Sequence, residues 1–363
     1  MFRELRTERQ NVVVVGDAFV STEVMEDAVR EMGLAADRVT ALMWGTGDTN
    51  EFAYRQLHIE REGPEAEDPA EGLEEALHDA TVLMVHFNPV PRMLIERAPR
   101  LRAIFTCRGG IEHIDVVAAT ELGIPVVHTV RNAVPVAEFA LGLMLAATRN
   151  IATSHRELMT GRWVKEYPNA ASCSTLANMV VGLVGLGNVG IELAVRLRAL
   201  GVKVLAYDPY ISRERLEGSG LADVCLVECA ETIFAEADIV SLHMRLTPET
   251  EGMVDKRLFA LMKPAAFFIN TARGGLIVQE DLVEALRARR IAGAALDVFE
   301  AEPLPVPNDL MNLGTVTITP HIAGMTVDAI PLSPLQTARE VNKIIDSGTL
   351  ERVVNAHELG FGA

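Results

Sequence analysis

Short apolar runs alternate with stretches of helical periodicity along almost the whole chain, the pattern of parallel sheets joined by crossover helices. Before residue 130 the runs predict strands at Asn11–Gly16, Arg38–Trp44, Thr81–Phe87, Arg102–Cys107 and Pro125–Thr129. Further on they predict strands at 179–184, Val202–Asp208, Ala237–His243, Ala265–Thr271, Ala292–Phe299 and Val316–Thr319. A long helix is expected at Val134–Asn150 and a last one at Gln336–Ser347. The chain has 363 residues, more than one core usually supports, so two domains are expected. The last helix is too little for a domain of its own and should return to pack on the first. The expected division is 1–126 with 320–363 as one domain and 127–319 as the other. Two chain crossings would join them, a geometry suited to closure over a cleft.

The two predicted sheets differ in kind. The first set of strands has no phosphate-type glycine turn and suits a flavodoxin-like sheet. The second opens on Gly185-Leu-Gly-Asn-Val-Gly190 between a strand and a helix, which is a Rossmann arrangement. Gly185 permits the tight turn, Gly187 lets backbone approach a pyrophosphate, and Gly190 allows the helix to pack closely. Asn188 and Val189 lie in this turn, before the helix predicted at Ile191–Leu200, whose N-terminal N–H groups and dipole favour an anion. The following strand ends in Asp208, placed for the hydroxyls of an adenosine ribose. A carboxylate there repels a 2′-phosphate, so the cofactor is expected to be NAD rather than NADP. The fold class is therefore α/β with two domains, a Rossmann NAD-binding domain inserted in a flavodoxin-like substrate-binding domain.

Composition narrows the partners. A net charge of −17 and the lack of basic runs argue against nucleic acid. The N-terminus has no signal-peptide core, and the helix carrying Glu138 is too short to span a bilayer, so a cytoplasmic protein with no membrane contact is expected. Cys107, Cys173, Cys225 and Cys229 have no zinc spacing and no disulfide framework, so buried free thiols and no metal site are expected. The acidic stretch from Glu60 to Asp79 reads as a solvated helix-and-loop surface.

Three segments carry further chemistry. Arg273 lies just past a strand in Ala265–Gly275, Asp297 and Glu302 follow another, and His321 sits in Thr319-Pro-His321. Ligands in open α/β sheets bind at such strand ends. Each residue also has a plain reading, Arg273 as a surface charge, Glu302 as a helix-entry acid and His321 as a turn residue.

Together with GLGNVG at 185–190, the segments NTARGG at 270–275, DVFEAEP at 297–303 and TPHIAG at 319–324 resemble the D-isomer-specific 2-hydroxyacid dehydrogenase family. AATELGIPVVHT at 118–129 and NAVPVAEF at 132–139 extend the resemblance over essentially the whole chain. It implies hydride transfer between NAD and a small 2-hydroxy or 2-keto acid. Arg273 would bind the substrate carboxylate, His321 would act as general acid and base, and Glu302 would orient and charge the imidazole. Asp297 would sit at the nicotinamide carboxamide, with Thr271 and Ala272 lining the same pocket. The turn Cys107-Arg-Gly-Gly110 would offer Gly109 and Gly110 backbone groups to the substrate carboxylate, and Asn132 would be a polar residue on the substrate side. A homodimer through the cofactor domain, using the helix at 134–150 and the segment to Ala171, is also implied.

The chain departs from the pattern at three places. Arg108 stands where a small residue is usual, and reads equally as an outward charge or as a cation for a substrate tail. His86 stands where members acting on 3-phosphoglycerate place an arginine, and reads equally as a substrate contact or a strand cap. Arg245 replaces a common proline near the cofactor edge and is expected to be solvated or a ribose-side contact rather than catalytic. No regulatory domain is expected after residue 363, which leaves 3-phosphoglycerate behind glyoxylate, hydroxypyruvate or a sugar-derived acid as substrate. Two rivals share the architecture: an NAD(H)-sensing corepressor-like scaffold, and formate dehydrogenase, against which Glu302 preceding His321 argues.

Overall fold

The structure is a computed structural model and describes residues 2–361. The chain forms two compact units, with junctions between Asn132 and Ala133 and between Met325 and Thr326. The first unit takes both ends of the chain.

That unit is built on five parallel strands, β1 (Gln10–Gly16), β2 (Ala36–Met43), β3 (Val82–Val85), β4 (Ala103–Thr106) and β5 (Val126–His128), in the order β2-β1-β3-β4-β5. This is the flavodoxin-like order. β3 and β4 are buried throughout, which explains their unbroken apolar sequence. One face of the sheet packs on the helix Thr22–Met32, whose Met25, Ala28, Val29 and Met32 share a core with Ala338, Val341, Ile344 and Ile345 of the helix Ser333–Ser347. The chain then runs antiparallel along β5. The His128 N–H donates to Arg352 O at 3.0 Å, and the Val354 N–H to Val126 O at 2.8 Å. Buried Asn355 closes this edge: its amide donates to Ile124 O at 2.9 Å and accepts from the Val126 N–H at 3.0 Å. An exposed strand edge is thereby covered.

The second unit carries β6 (Val180–Val184), β7 (Lys203–Tyr207), β8 (Cys225–Leu226), β9 (Ile239–Leu242), β10 (Phe267–Asn270), β11 (Gly293–Leu296) and β12 (Val316–Ile318). Their order is β12-β11-β10-β9-β6-β7-β8, a Rossmann sheet extended by one strand. β8 is absent from the sequence prediction because two exposed residues leave no periodicity to detect. Most other strands are shorter than their apolar runs. Residues such as His86, Phe87, Val298 and Phe299 are buried, yet they leave the ladder to form the turns at the strand ends.

Three expectations need correction. The helix predicted to reach Asn150 ends at Thr148, because Asn150 adopts a left-handed backbone with φ 54° and a second helix, Ile151–Met159, leaves at 65° to the first. Asn150 holds this corner by donating its amide to Asn169 Oδ1 at 2.8 Å. Among the described residues no single helix is long and apolar enough to cross a membrane. The cysteines are free but not uniformly buried, since Cys107 is enclosed while Cys225 and Cys229 lie on the surface beside the short edge strand. The acidic stretch is only partly solvated: Glu67 pairs with Arg55 at 2.8 Å, and Glu60 reaches inward to Arg108 at 3.1 Å.

Candidate functional site

Register places the chemistry of the second unit. Val184 pairs with Tyr207 and Leu242, Leu242 with Asn270, Asn270 with Leu296, and Leu296 with Ile318. These residues form one row across the sheet. The next residues, Gly185, Asp208, His243, Thr271, Asp297 and Thr319, therefore stand together along its carboxyl edge.

The glycine turn is shaped by close contacts. Gly185 has φ 99°, and a Cβ there would lie 2.7 Å from the His243 carbonyl carbon, so no larger residue fits. At Gly190 a Cβ would meet Gly185 O at 2.2 Å, so this glycine packs the helix Asn188–Ala199 onto the turn itself rather than onto the strand. Gly187 differs, for beyond its chain neighbours nothing in the described structure lies within 4 Å of where its Cβ would be. Asp208 is half-buried and holds the turn: the Leu186 N–H donates to Oδ2 at 2.7 Å and the Tyr210 N–H to Oδ1 at 2.8 Å. Asn188 accepts from Arg215 Nη2 at 3.1 Å.

These residues fit a dinucleotide. A helix N-terminus presents unpaired N–H groups behind Gly187, whose missing side chain leaves the approach open to a phosphate. Farther along the same edge, Thr271 Oγ1 and His243 Nδ1 are buried without a hydrogen-bond partner. Buried polar atoms in that state are uncommon away from ligand sites. The sequence had not singled out His243; burial pushes its pKa down to about 4, so its imidazole is neutral.

Asp297 is fully buried, and its carboxylate accepts three hydrogen bonds, from Thr319 Oγ1 at 2.6 Å, the Ile322 N–H at 3.0 Å and the Ala323 N–H at 2.8 Å. This side chain, expected beside a nicotinamide carboxamide, is engaged with the loop that carries His321. His321 itself has a left-handed backbone, φ 54°. Its Nδ1 lies 2.6 Å from Glu302 Oε2, while Glu302 Oε1 accepts from the Phe299 N–H at 2.9 Å. The hydrogen bond and charge of Glu302 raise the His321 pKa against the opposing effects of burial and of Arg273. Burial acts to raise the Glu302 pKa, but His321, the Phe299 N–H and Arg273 outweigh it and the pKa falls. The pair is thus poised as carboxylate and imidazolium.

Arg273 is exposed and stands on a tight turn. Buried Asn270 donates to Arg273 O at 3.0 Å and accepts from the Ala272 N–H at 3.0 Å. A Cβ on Gly274 would overlap Phe299 O at 1.9 Å, so the turn carrying Arg273 is packed directly against the segment leading to Glu302. Arg245 is exposed, and Thr250 donates to its carbonyl at 2.7 Å.

In the first unit, the loops after β4 and β5 meet. The Thr129 N–H donates to Arg108 O at 3.1 Å, and His128 Nδ1 lies 3.0 Å from Gly109 O. Among the described residues the Gly109 and Gly110 N–H groups donate no hydrogen bond. Asn132 is exposed. Arg108 is no outward charge: it is buried, with its guanidinium 3.8 Å from the centroid of Phe87 and paired with Glu60. His86 is enclosed at 1% exposure and therefore offers no face to a substrate. Its Nδ1 lies 2.6 Å from Asp17 Oδ2 and its Nε2 is bonded by Arg131 Nη1. Arg131 was missed in the sequence because it lies outside every family segment quoted above.

Residues 141–323 match the family model described as D-isomer specific 2-hydroxyacid dehydrogenase, NAD binding domain. The chain is 39% identical over 287 residues to a D-3-phosphoglycerate dehydrogenase of Methanocaldococcus jannaschii, covering 78% of this chain and 53% of that one. It is 38% identical over 270 residues to a glyoxylate reductase of Thermofilum pendens, covering 73% and 78%. The chain spans about half the length of the phosphoglycerate dehydrogenases it matches. A solved D-isomer specific 2-hydroxyacid dehydrogenase from Lactobacillus delbrueckii ssp. bulgaricus, in its NAD-complexed form, superposes with a TM-score of 0.70 at 22% identity, covering 95% of this chain and 100% of that one. At that identity the likeness speaks for the fold.

The Glu302–His321 pairing makes a prediction that needs no substrate. Glu302→Gln removes the charge that favours imidazolium, so the His321 imidazole proton signals should titrate at lower pH in the variant than in the parent. An unchanged NMR midpoint contradicts the pairing.

Proposed function

Since the chain belongs to the D-isomer specific 2-hydroxyacid dehydrogenase family, we propose that it interconverts a D-2-hydroxy acid and its 2-keto acid with NAD as cofactor. The observation that carries this reading is the His321–Glu302 pair at 2.6 Å, on the same sheet edge as the glycine turn and Arg273. The cofactor would be held by Gly185, Gly187, Asn188, Val189 and Gly190 at its phosphates, Asp208 at its adenosine ribose, and Thr271 and Ala272 farther along the edge. NADH held there would supply the hydride for C2 of the keto acid.

The chain's own residues supply the rest. Arg273 offers a planar fork of N–H donors to the substrate carboxylate, with Gly109, Gly110 and Asn132 as contacts on the first unit. With Nδ1–H held by Glu302, the proton on His321 Nε2 is the one available to the ketone oxygen. Its transfer leaves a neutral imidazole, which serves as the base in the reverse direction. Glu302 keeps the ring oriented throughout and stabilises its charged form. Asp208 disfavours a 2′-phosphate and so supports NAD over NADP.

A cytoplasmic homodimer belongs to the same reading. The two helices Ala133–Thr148 and Ile151–Met159 and the residues after them expose Leu145, Ile151, Leu158, Met159 and Trp163, the last at 77%. So much apolar surface in one segment suits an interface between copies. Sedimentation should give the mass of two chains, and a single-chain mass at micromolar concentration contradicts the dimer.

His321→Asn should reduce keto-acid turnover by roughly 10²–10⁴-fold while NADH still binds. In the parent, reduction needs imidazolium, so its rate should fall as pH rises through the His321 pKa, which lies above 6.5. Oxidation should show the opposite trend. Steady-state kinetics across pH check both, and a variant that keeps most of its turnover removes His321 from the role.

A further inference from the structure

The carboxyl edge of the first unit's sheet holds an arginine that the reading above does not use. Val15 pairs with Val85, Val85 with Thr106, and Thr106 with His128, which brings the residues after β1, β3, β4 and β5 to one edge. Asp17, His86, Cys107 and Arg131 follow those strands.

Their hydrogen bonds run in one sense. Arginine has only donors, so Arg131 Nη1–H donates to His86 Nε2, which must then be unprotonated. The ring proton is therefore on Nδ1 and donates to Asp17 Oδ2 at 2.6 Å. Asp17 Oδ1 accepts the Phe19 and Val20 N–H groups at 3.0 and 3.2 Å, which ties the relay to backbone. The imidazole is stacked on Phe52, 6.1 Å between centroids and 5° between planes. Burial, opposed by Asp17 and assisted by Arg131 and Arg108, pushes the His86 pKa down to about 4, so this tautomer persists at neutral pH.

Arg131 is thus half-buried and aimed by a three-residue relay, yet among the described residues it has no carboxylate within ion-pair reach. Burial and the charge of Arg108 bring its pKa down to about 10. Arg108 has Glu60 at 3.1 Å and Glu112 at 3.7 Å as direct counter-charges, whereas Asp17, which is linked to Arg131, lies behind the neutral imidazole. A solvated surface arginine needs no such positioning. One set to bind an anion does, because each N–H fixed beforehand is a rotamer not lost on binding.

We infer that Arg131 is a specificity-determining residue, with Asp17 and His86 as its positioning residues, and that the substrate is a 2-hydroxy acid carrying a second anionic group which Arg131 binds. This rests on the dehydrogenase reading, in which Arg273 takes the carboxylate next to C2. A planar guanidinium fork suits a distal carboxylate or a phosphate ester alike.

The test compares kcat/KM for NADH-dependent reduction of 3-phosphohydroxypyruvate, 2-ketoglutarate, pyruvate and glyoxylate by the parent, Arg131→Gln and Arg131→Lys. The parent should prefer one of the two acids with an anionic tail, and which one it prefers separates phosphate from carboxylate. In Arg131→Gln that preference over pyruvate and glyoxylate should fall by about 10- to 100-fold, the loss expected of a hydrogen bond to a charged group, with partial recovery in Arg131→Lys. His86→Leu should reproduce the fall and His86→Gln, which retains a donor and an acceptor, should restore part of it. A parent that favours the tail-free acids, or an Arg131→Gln variant that loses the same factor on all four, overturns the inference and leaves the dehydrogenase reading standing. If none of the four is reduced, that reading fails, and calorimetric titration with malonate against acetate decides the inference. Malonate bound at least about tenfold tighter, with the difference lost in Arg131→Gln, upholds the anion site; equal binding overturns it.

Discussion

The buried Asp297 carboxylate is the constraint on which the candidate site depends. It stands at the carboxyl end of β11 with no exposure to solvent and accepts three hydrogen bonds, two from backbone N–H groups and one from Thr319. A charge in that position is tolerable only when fully bonded, and each such bond contributes about 1.5–3 kcal/mol. The loop from 319 to 323 is therefore held in an arrangement that satisfies Asp297. That arrangement includes a left-handed His321, a backbone form costing about 1–2 kcal/mol for a residue with a side chain. The bonds to Asp297 offset this strain, and the imidazole is delivered to Glu302. Electrostatic tuning follows from position: the same carboxylate that orients the ring raises its pKa.

Parallel register does the remaining placement. In both sheets the last paired residues align across the strands, so residues far apart in sequence emerge at one edge. Glycine turn, Asp208, Thr271, Asp297 and Thr319 are neighbours for this reason, and so are Asp17, His86, Cys107 and Arg131 in the other unit. The two edges are used differently. In the second unit the edge carboxylates Asp208 and Asp297 are held by backbone N–H and hydroxyl donors, whereas in the first a buried relay works through a single arginine.

Much of this was legible from the chain. Apolar runs located eleven of the twelve strands, and the glycine spacing separated the Rossmann sheet from the flavodoxin-like one. Local signals served because strand burial and tight turns impose residue types directly. What escaped notice depends on contacts between distant segments. The inward turn of Arg108 follows from Phe87 and Glu60, which no spacing rule links to it. His86 reads in the sequence as a substrate contact or a strand cap, and its enclosure depends on Phe52 and Asp17, which no local signal links to it. Arg131 has no motif, and its importance exists only through the hydrogen bond to His86. The helix break at Asn150 was hidden by good helical periodicity on both sides, since a left-handed asparagine leaves the apolar pattern intact. The donors around Asp297 were also hidden, because the sequence shows its strand-end position but not the loop that bonds to it.

The reading as a whole rests on hydride delivery to C2 with a defined hand. The decisive measurement incubates the purified protein with NADH carrying deuterium at both nicotinamide C4 positions and a mixture of pyruvate, hydroxypyruvate and 2-ketoglutarate, followed by mass spectrometry and chiral separation of the hydroxy acids. The account predicts a product with one deuterium at C2 and the D configuration. An L product, or the absence of any 2-hydroxy acid labelled at C2, contradicts it.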